Sequence, residues 1–412
     1  MPASRRQFMF AAGGCAACLS GLARAHVLPT DLEPLVNANY QPTDPDERGI
    51  WQAMERIEES IQTSPQLLQA PALQAYTRQV VERLVGRPAP ELRIYLMRDA
   101  SFNAAMFPSG MMIVHTGLMA RVRDESQYAA VLGHESGHYF RKHTIESYRS
   151  IRSRSAAMAF VAATASVAAG ATAASGYSGA GTWIDAANLV SMAVVLSVFQ
   201  FSRAQEAEAD AYGVALMARA GYSPGAAAQI WKQLIDERKA SAAQRNKHYR
   251  DRANSAFSTH PPSEDRMQDL ADTAAYLVRN GAAATSDGRA EWQAVIAPYR
   301  AQLLEEQIKL NDPGASLYLV QNLAQDGWTG PLRYNEGEIY RLRGATGDDA
   351  KAAAAYAAST ALPDAPPEAW RAHGYALLKT GNVADGHAAL DRYLAMVPDA
   401  KDAGVVRFTL AQ

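Results

Sequence analysis

The chain has 412 residues, of which 48% are hydrophobic and 20% are charged, and its formal net charge is −2 at pH 7. This near balance excludes the strongly basic composition of a nucleic-acid-binding protein, and the apolar fraction is that of a globular protein. The length is ample for two domains.

Residues 1–25 have the pattern of an export signal. Arg5 and Arg6 precede an apolar, Ala-rich run, no acidic residue is present, and residues 23–25 form the small-x-small sequence Ala-Arg-Ala. This pattern predicts a twin-arginine signal peptide. We therefore expect a mature periplasmic chain that begins near His26.

The two cysteines, Cys15 and Cys18, both lie in this predicted signal. The mature chain would then contain no disulfide, although its compartment is oxidising. Lipidation at Cys15 is the alternative, but the preceding Ala-Gly-Gly is a poor lipidation motif. Loss of residues 1–25 leaves 37 basic against 42 acidic side chains, a formal charge of −5.

Two apolar segments ahead of residue 120 predict a small β-sheet. Residues 91–97 alternate in polarity after Pro88 and Pro90, and Met111–Val114 could pair with them. An open edge of such a sheet could hold an extended peptide through main-chain hydrogen bonds. The alternative is that both strands only support the core.

The most informative segment is residues 133–138, with the sequence Gly-His-Glu-Ser-Gly-His. Apolar residues lead into it and predict a half-buried helix, on which His134 and His138 share one face with Glu135 beside them. Two imidazoles bind zinc at about 2.0–2.1 Å and leave room for a third protein ligand and a water. A chance match in this chain has an expectation of roughly 0.01, so we interpret the segment as a zinc motif.

Residues 156–200 contain two apolar stretches, 156–176 and 183–201. Each approaches the length of about 20 residues that a membrane span needs. The first is mostly Ala, Gly and Ser, however, and such a stretch gains little from insertion. We interpret the segment as a mobile or membrane-touching helical hairpin, with transmembrane helices as the alternative.

The segment from Ser202 to Ala220 lacks proline and is followed by Gly221. It predicts a second helix that carries the third metal ligand. Glu206 and Asp210 share a face of this helix. Glu206 would bind the metal, while Asp210 would accept a hydrogen bond from the second nitrogen of a ligand histidine. Glu208 is the alternative ligand. The non-functional alternative is that these acidic residues only form a solvated helix face.

These motifs together resemble family 48 of the metallopeptidases, the group that includes HtpX, the CAAX prenyl proteases and the BepA-type periplasmic proteases. The resemblance covers about residues 45 to 270. It depends on H-E-x-x-H, on the downstream S-R-x-x-E-x-E-A-D, on Thr-His-Pro-Pro at 259–262 with Arg266, and on the strand segment 103–119.

The resemblance implies a mostly α-helical, zincin-like (gluzincin) metalloprotease domain with a small β-sheet, which we place at residues 26–300. It implies one zinc ion bound by His134, His138 and Glu206. It also implies that Glu135 is the catalytic base and that Asp210 supports a ligand from behind.

His260 precedes two prolines, which predict a loop ahead of a helix that begins near Ser263. In BepA-type relatives the matching histidine can occupy the open zinc position and hold the enzyme inactive. We carry that role to His260 as a hypothesis. The alternatives are a solvated loop residue and a residue that stabilises the transition-state oxyanion.

The other histidines lack a partner at ligand spacing. His143 lies five positions after His138, about 140° round a continuous helix, so it cannot easily reach the same ion. We interpret it, with His115, His248, His373 and His387, as a satisfied structural or surface group.

Residues 301–412 predict an α-helical, tetratricopeptide-like array. The spacing of Trp370, Gly374, Leu390 and Tyr393 fits one repeat of about 34 residues, and a looser copy spans 337–363. Stacked repeats form a curved surface that binds partners. A generic helical tail is the alternative.

The leading hypothesis is a periplasmic zinc metalloendopeptidase. The resemblance implies that it cleaves misfolded or stalled outer-membrane proteins and meets the outer-membrane assembly machinery through its repeats, with contact to a membrane surface and none to nucleic acid. One alternative is an assembly chaperone or adaptor that acts through the repeats, and another is an integral membrane protease. A complete ligand set argues against an idle peptidase.

Overall fold

The protein is described here by a computed structural model. The described residues are 39–153, 201–249, 263–284 and 286–412. The predicted signal peptide, the predicted hairpin at 156–200 and His260 lie outside them. The fold is mostly helical with one small sheet, as predicted.

The described residues up to 309 form helices around a three-stranded sheet. The helices are α1 (Pro45–Gln62), α2 (Pro71–Val85), α3 (Thr116–Arg121), α4 (Glu125–Phe140), α5 (His143–Ser153), α6 (Arg203–Arg219), α7 (Ala226–Gln244), α8 (Glu264–Arg279) and α9 (Arg289–Lys309).

The sheet contains β1 (Arg93–Met97), β2 (Ala104–Met106) and β3 (Met111–His115), in the order β1-β3-β2. The predicted pair is present, and β1 runs parallel to β3. A tight turn at Gly110, whose φ is +87°, sends the chain back so that β2 is antiparallel to β3. The predicted strand at 111–114 is therefore central. The edge that packs against α4 is β2, which pairs with no second strand among the described residues.

Helix α4 is the centre of the fold. Asp124 is the N-cap of this helix, because its Oδ1 accepts a hydrogen bond from the backbone N–H of Gln127 at 2.8 Å. Every residue of α4 is buried, so the prediction of a half-buried helix was wrong. The reason is that α2, α6, α7, α9 and β2 surround it, and periodicity along one segment does not report neighbours on its second face.

Helix α6 crosses α4 at very short range. Gly133 and Gly213 lie at the contact, where a Cβ added to Gly213 would approach the backbone nitrogen of His134 to 2.8 Å. Glycine therefore allows the two backbones to approach more closely than any side chain would. This contact brings the predicted zinc motif against the predicted third ligand.

The described tail continues as antiparallel helix pairs, with α11 against α12 and α13 against α14. This pairing is compatible with the predicted repeats, whose tetratricopeptide character stays a prediction. The tail helices are α10 (Pro313–Leu323), α11 (Gly330–Arg343), α12 (Asp348–Thr360), α13 (Pro367–Lys379), α14 (Val383–Met396) and α15 (Ala403–Leu410), with a 3-10 turn at Ala324–Asp326.

The domain boundary predicted at residue 300 falls inside α9. Leu303 and Leu304 of that helix belong to one buried apolar cluster that extends from Leu68 to Ile339. Helix α9 thus joins the two predicted units, and the division between them stays a prediction. No helix in the described stretches is both long and apolar enough to cross a membrane.

Candidate metal centre

Three predicted ligands converge between α4 and α6. The Nε2 atoms of His134 and His138 lie 3.1 Å apart. The carboxylate of Glu206 places one oxygen 3.5 Å from Nε2 of His138 and the other 3.6 Å from Nε2 of His134. Ligands held at about 2.0–2.1 Å by a tetrahedral ion lie about 3.3–3.4 Å apart. The two imidazoles and the carboxylate therefore fit a zinc ion in both donor chemistry and spacing.

Local sequence places these ligands. His134 and His138 are four residues apart on α4, and Glu206 stands in the first turn of α6. That helix begins with a capping box, in which Ser202 and Gln205 each bond the backbone of the other. The cap fixes the turn that carries Glu206, and the glycine contact between the helices determines its distance from the imidazoles.

Glu135 lies beside the cluster and is 2% exposed. Its Oε2 accepts a hydrogen bond from the backbone N–H of Met106, in edge strand β2, at 3.1 Å. The carboxylate predicted to act as base is thus tied to the sheet edge that lies next to the metal ligands.

Asp210 occupies the predicted place behind His134. Its Oδ1 lies 2.9 Å from Nδ1 of His134. Arg266 also binds this carboxylate in a bidentate manner, with Nε 2.6 Å from Oδ2 and Nη2 2.8 Å from Oδ1. Burial alone would raise the pKa of Asp210, but the charge of Arg266 and the bond to His134 outweigh it and hold the pKa well below its usual value. Asp210 is therefore an anion at neutral pH.

Arg266 is a site residue that sequence reasoning named only as part of the family pattern, without a role. Its side chain is 10% exposed and its Nη1 lies 2.7 Å from Oε2 of Glu206. The guanidinium also stacks on Trp231, 4.2 Å from the ring centroid. Burial would lower the pKa of Arg266, but the nearby carboxylates Asp210, Glu206 and Glu135 raise it. One cation therefore holds two carboxylates of the site in place.

Glu208, the alternative ligand, points away from the cluster. Its Oε1 lies 2.5 Å from Nε of Arg141, and its Oε2 lies 3.4 Å from Nε2 of His143. His143 is 1% exposed and is absent from the described metal-binding group, as expected for a residue that does not reach the ion. It does, however, contact His138, with the two Nδ1 atoms 3.0 Å apart.

Comparison with known proteins supports the same chemistry. The model of peptidase family M48 matches residues 67–274, which is half of the chain. The chain belongs to peptidase family M48. The predicted resemblance is confirmed, and the matched segment contains all three converging ligands.

Curated relatives are identical to this chain at about a quarter of the aligned residues. A "Putative beta-barrel assembly-enhancing protease" of Vibrio cholerae is 27% identical over 50% of this chain and 40% of the relative. "Mitochondrial metalloendopeptidase OMA1" of Schizosaccharomyces pombe is 28% identical over 47% of this chain and 51% of the relative. "Metalloprotease LoiP" of Escherichia coli is 28% identical over 45% of this chain and 63% of the relative.

This M48 chain therefore spans about half the length of the first two relatives. The part that the family model matches, residues 67–274, holds the metal centre, and residues 275–412 lie beyond that match. Family membership and these names indicate a metalloprotease. Of the predicted site residues, the structure brings together His134, Glu135, His138, Glu206 and Asp210, whereas His260 lies outside the described residues.

Proposed function

We propose that this chain is a zinc-dependent metalloendopeptidase. The observation that carries the proposal is the convergence of two imidazoles and one carboxylate from α4 and α6, with Glu135 beside them. His134, His138 and Glu206 would bind the ion. A bound zinc ion supplies Lewis acidity, which lowers the pKa of a coordinated water from about 15.7 to about 7.

Glu135 is the residue positioned to accept a proton from that water. The N–H of Met106 orients its carboxylate, and general acid-base help of this kind contributes about 10²–10⁴ in rate. The edge of β2 offers main-chain groups next to the same carboxylate. An extended substrate that pairs with this edge would bring its peptide bond beside Glu135 with little sequence preference.

Asp210 and Arg266 keep the ligands in position. Asp210 accepts a hydrogen bond from Nδ1–H of His134, so that Nε2 is left as the unprotonated nitrogen that faces the ligand cluster. Arg266 neutralises Asp210 and contacts Glu206, which reduces the repulsion between these two carboxylates.

The test is zinc content and casein cleavage for the wild type and Glu135→Gln. Glutamine keeps the shape but cannot accept the proton, so we expect zinc to stay bound and cleavage to fall about 10²–10⁴-fold. Glu264→Gln is the matched control, because Glu264 is exposed and pairs with Lys239. More than a tenth of wild-type cleavage in Glu135→Gln would remove Glu135 from this role.

We further propose that the enzyme works in the periplasm on misfolded or stalled outer-membrane proteins. Support comes from the twin-arginine pattern at residues 1–25 and from the name of the Vibrio cholerae relative, which refers to β-barrel assembly. The helix pairs of the tail would supply the surface that meets the assembly machinery. Residues 156–200 would touch the membrane surface.

Location and substrate class need separate tests. Osmotic shock should release the mature protein without detergent, whereas a need for detergent would favour an integral membrane protease. When a chain with Glu135→Gln is expressed in cells that lack the wild-type enzyme, stalled outer-membrane proteins should remain undegraded. If a chain with that substitution clears them as well as the wild type, the tail acts as a chaperone or adaptor and the peptidase is idle.

The latch role of His260 stays a proposal as well. His260→Ala should raise casein cleavage if the imidazole occupies the open metal position. A loss of cleavage with zinc still bound would instead assign the residue to oxyanion stabilisation, and an unchanged rate would make it a solvated loop residue.

A further inference from the structure

The ligand histidine His138 has a polar partner on the side away from the metal cluster. Its Nε2 faces His134 and Glu206, whereas its Nδ1 lies 3.0 Å from Nδ1 of His143. The other ring nitrogen of His143, Nε2, lies 3.4 Å from Oε2 of Glu208. A chain of polar contacts therefore runs from the ligand through a second imidazole to a carboxylate.

The backbone explains why His143 reaches this place. Helix α4 ends at Phe140, and Lys142 adopts a left-handed conformation with φ of +57°. The helix is interrupted there, and α5 begins at His143. The angle of about 140° expected for a continuous helix does not apply across this break. His143 is instead directed back against His138, where it is 1% exposed.

The proton positions follow from metal binding. A histidine binds zinc through an unprotonated nitrogen, so Nε2 of His138 has no proton and Nδ1 has one. Two Nδ1 atoms at 3.0 Å share a single hydrogen bond, and the one on His143 must therefore accept. The proton of neutral His143 is then on Nε2, which faces the carboxylate of Glu208. Each donor in the chain meets an acceptor.

We propose that His143 is a positioning residue, which together with Glu208 selects the tautomer and ring orientation of His138 that bind zinc. The proposal rests on the proposed zinc function. The chain through His143 and Glu208 would orient His138 as Asp210 orients His134, whose Nδ1 lies 2.9 Å from Oδ1 of Asp210. Both ligand imidazoles thus have a carboxylate behind them, one in direct contact and one through a second ring.

Neighbouring groups support this arrangement. Arg141 lies 2.5 Å from the other oxygen of Glu208, which fixes the carboxylate next to His143. The ring of Phe201 stacks on His138 with centroids 3.9 Å apart and limits the rotation of the imidazole from its face. The chain of contacts from His138 through His143 to Glu208, called the relay below, therefore controls the tilt and tautomer of the His138 ring. The stacked ring of Phe201 restricts movement of that imidazole out of its plane.

The test compares zinc affinity across substitutions at His143. Leucine preserves bulk but cannot accept a hydrogen bond, whereas the side-chain oxygen of asparagine can. We expect His143→Leu to weaken zinc binding about 10–100-fold and His143→Asn to recover at least part of that loss, because partners behind metal ligands contribute about that much affinity. The assay is competition for zinc against a chromophoric chelator, with the visible spectrum of the Co²⁺ form as a second readout of ligand geometry.

Two further variants make the outcome decisive. His115→Leu removes a partly buried histidine, whose side chain is 14% exposed and which contacts Ser101 at 2.9 Å, and should leave zinc affinity and the Co²⁺ spectrum unchanged. Glu208→Ala changes a side chain that is 40% exposed, so it tests the relay even if His143→Leu does not fold. It should weaken zinc binding in the same direction as His143→Leu.

Failure of the relay and failure of the proposed function look different. A wild-type chain that binds zinc, with His143→Leu and Glu208→Ala both within twofold of its affinity, overturns the relay alone. A wild-type chain that binds no zinc overturns the metal site and the relay with it.

Discussion

The close contact between α4 and α6 makes Gly213→Ala the most informative perturbation of this protein. An added Cβ would lie 2.8 Å from the backbone nitrogen of His134 and 2.9 Å from the carbonyl carbon of Gly133. Ordinary contacts of a Cβ begin near 3.4 Å, so α6 must move away by about 0.6 Å. Both obstructing atoms belong to backbone, and no side chain can rotate to relieve the overlap.

The displacement would act on the metal centre because α6 carries Glu206 and α4 carries the imidazoles. Metal–ligand distances tolerate only about ±0.2 Å, and a misplacement of about 1 Å at a reacting centre costs about 100-fold in rate. We therefore expect at least a tenfold loss of zinc affinity and a 10–100-fold loss of casein cleavage. Overpacking costs about 1–3 kcal/mol, and the higher helix propensity of alanine offsets up to about 1 kcal/mol of that.

A graded series separates this geometric effect from general destabilisation. A Cβ at Gly137 would lie 3.0 Å from the carbonyl oxygen of Ala209, and one at Gly133 would lie 3.2 Å from that of Gly213. The loss of zinc affinity should therefore be largest at Gly213, smaller at Gly137 and smallest at Gly133. Gly49→Ala in α1, where nothing lies within 4 Å of the added Cβ, is the matched control. Wild-type zinc affinity and cleavage in Gly213→Ala would refute the reasoning.

Three other outcomes follow from the structure. Arg266→Met leaves Asp210 and Glu206 without their cation. It should lower the free energy of unfolding of the metal-free protein, measured in urea, by about 3–5 kcal/mol. An unchanged free energy of unfolding would contradict the role of the cation. Hydrogen bonding to Arg343 lowers the pKa of Asp348 to about 2, so its stabilisation is full above about pH 3.9 and is lost as the pH falls toward 2. The stability gap between the wild type and Asp348→Asn should thus hold from pH 7 to 5 and shrink by pH 3, and a gap independent of pH would be the contrary result. Chelation of zinc held at 100 times its dissociation constant should lower the melting temperature by about 3–6 °C, and no shift would argue against a metal bound to the folded state.

Sequence periodicity and capping rules were sufficient to place the helices that carry the ligands. The predicted zinc helix follows the N-cap residue Asp124, and the predicted second helix follows the N-cap residue Ser202. The spacing of His134 and His138 predicts a shared face because a residue pair four apart is a local property of one helix. The same argument from a shared helical face supplied Glu206 and Asp210 as candidates, and the structure places both beside the imidazoles.

Contacts across long separations in sequence were not predictable in this way. Arg266 contacts Asp210, which is 56 residues away in sequence, and His134, which is 132 residues away. No local pattern predicts such a pair. The burial of α4 on all sides likewise depends on which helices surround it, so its sequence alone predicted a half-buried helix.

The sequence by itself therefore determined the metal-binding residue types, their helical spacing and the family. Only the tertiary structure decided how close α4 and α6 approach, that one arginine serves two carboxylates, and that the left-handed turn at Lys142 brings His143 against His138. The physical reason is the separation along the sequence over which each kind of interaction acts. Helix periodicity and caps act within a few residues, whereas these contacts depend on how complete elements pack.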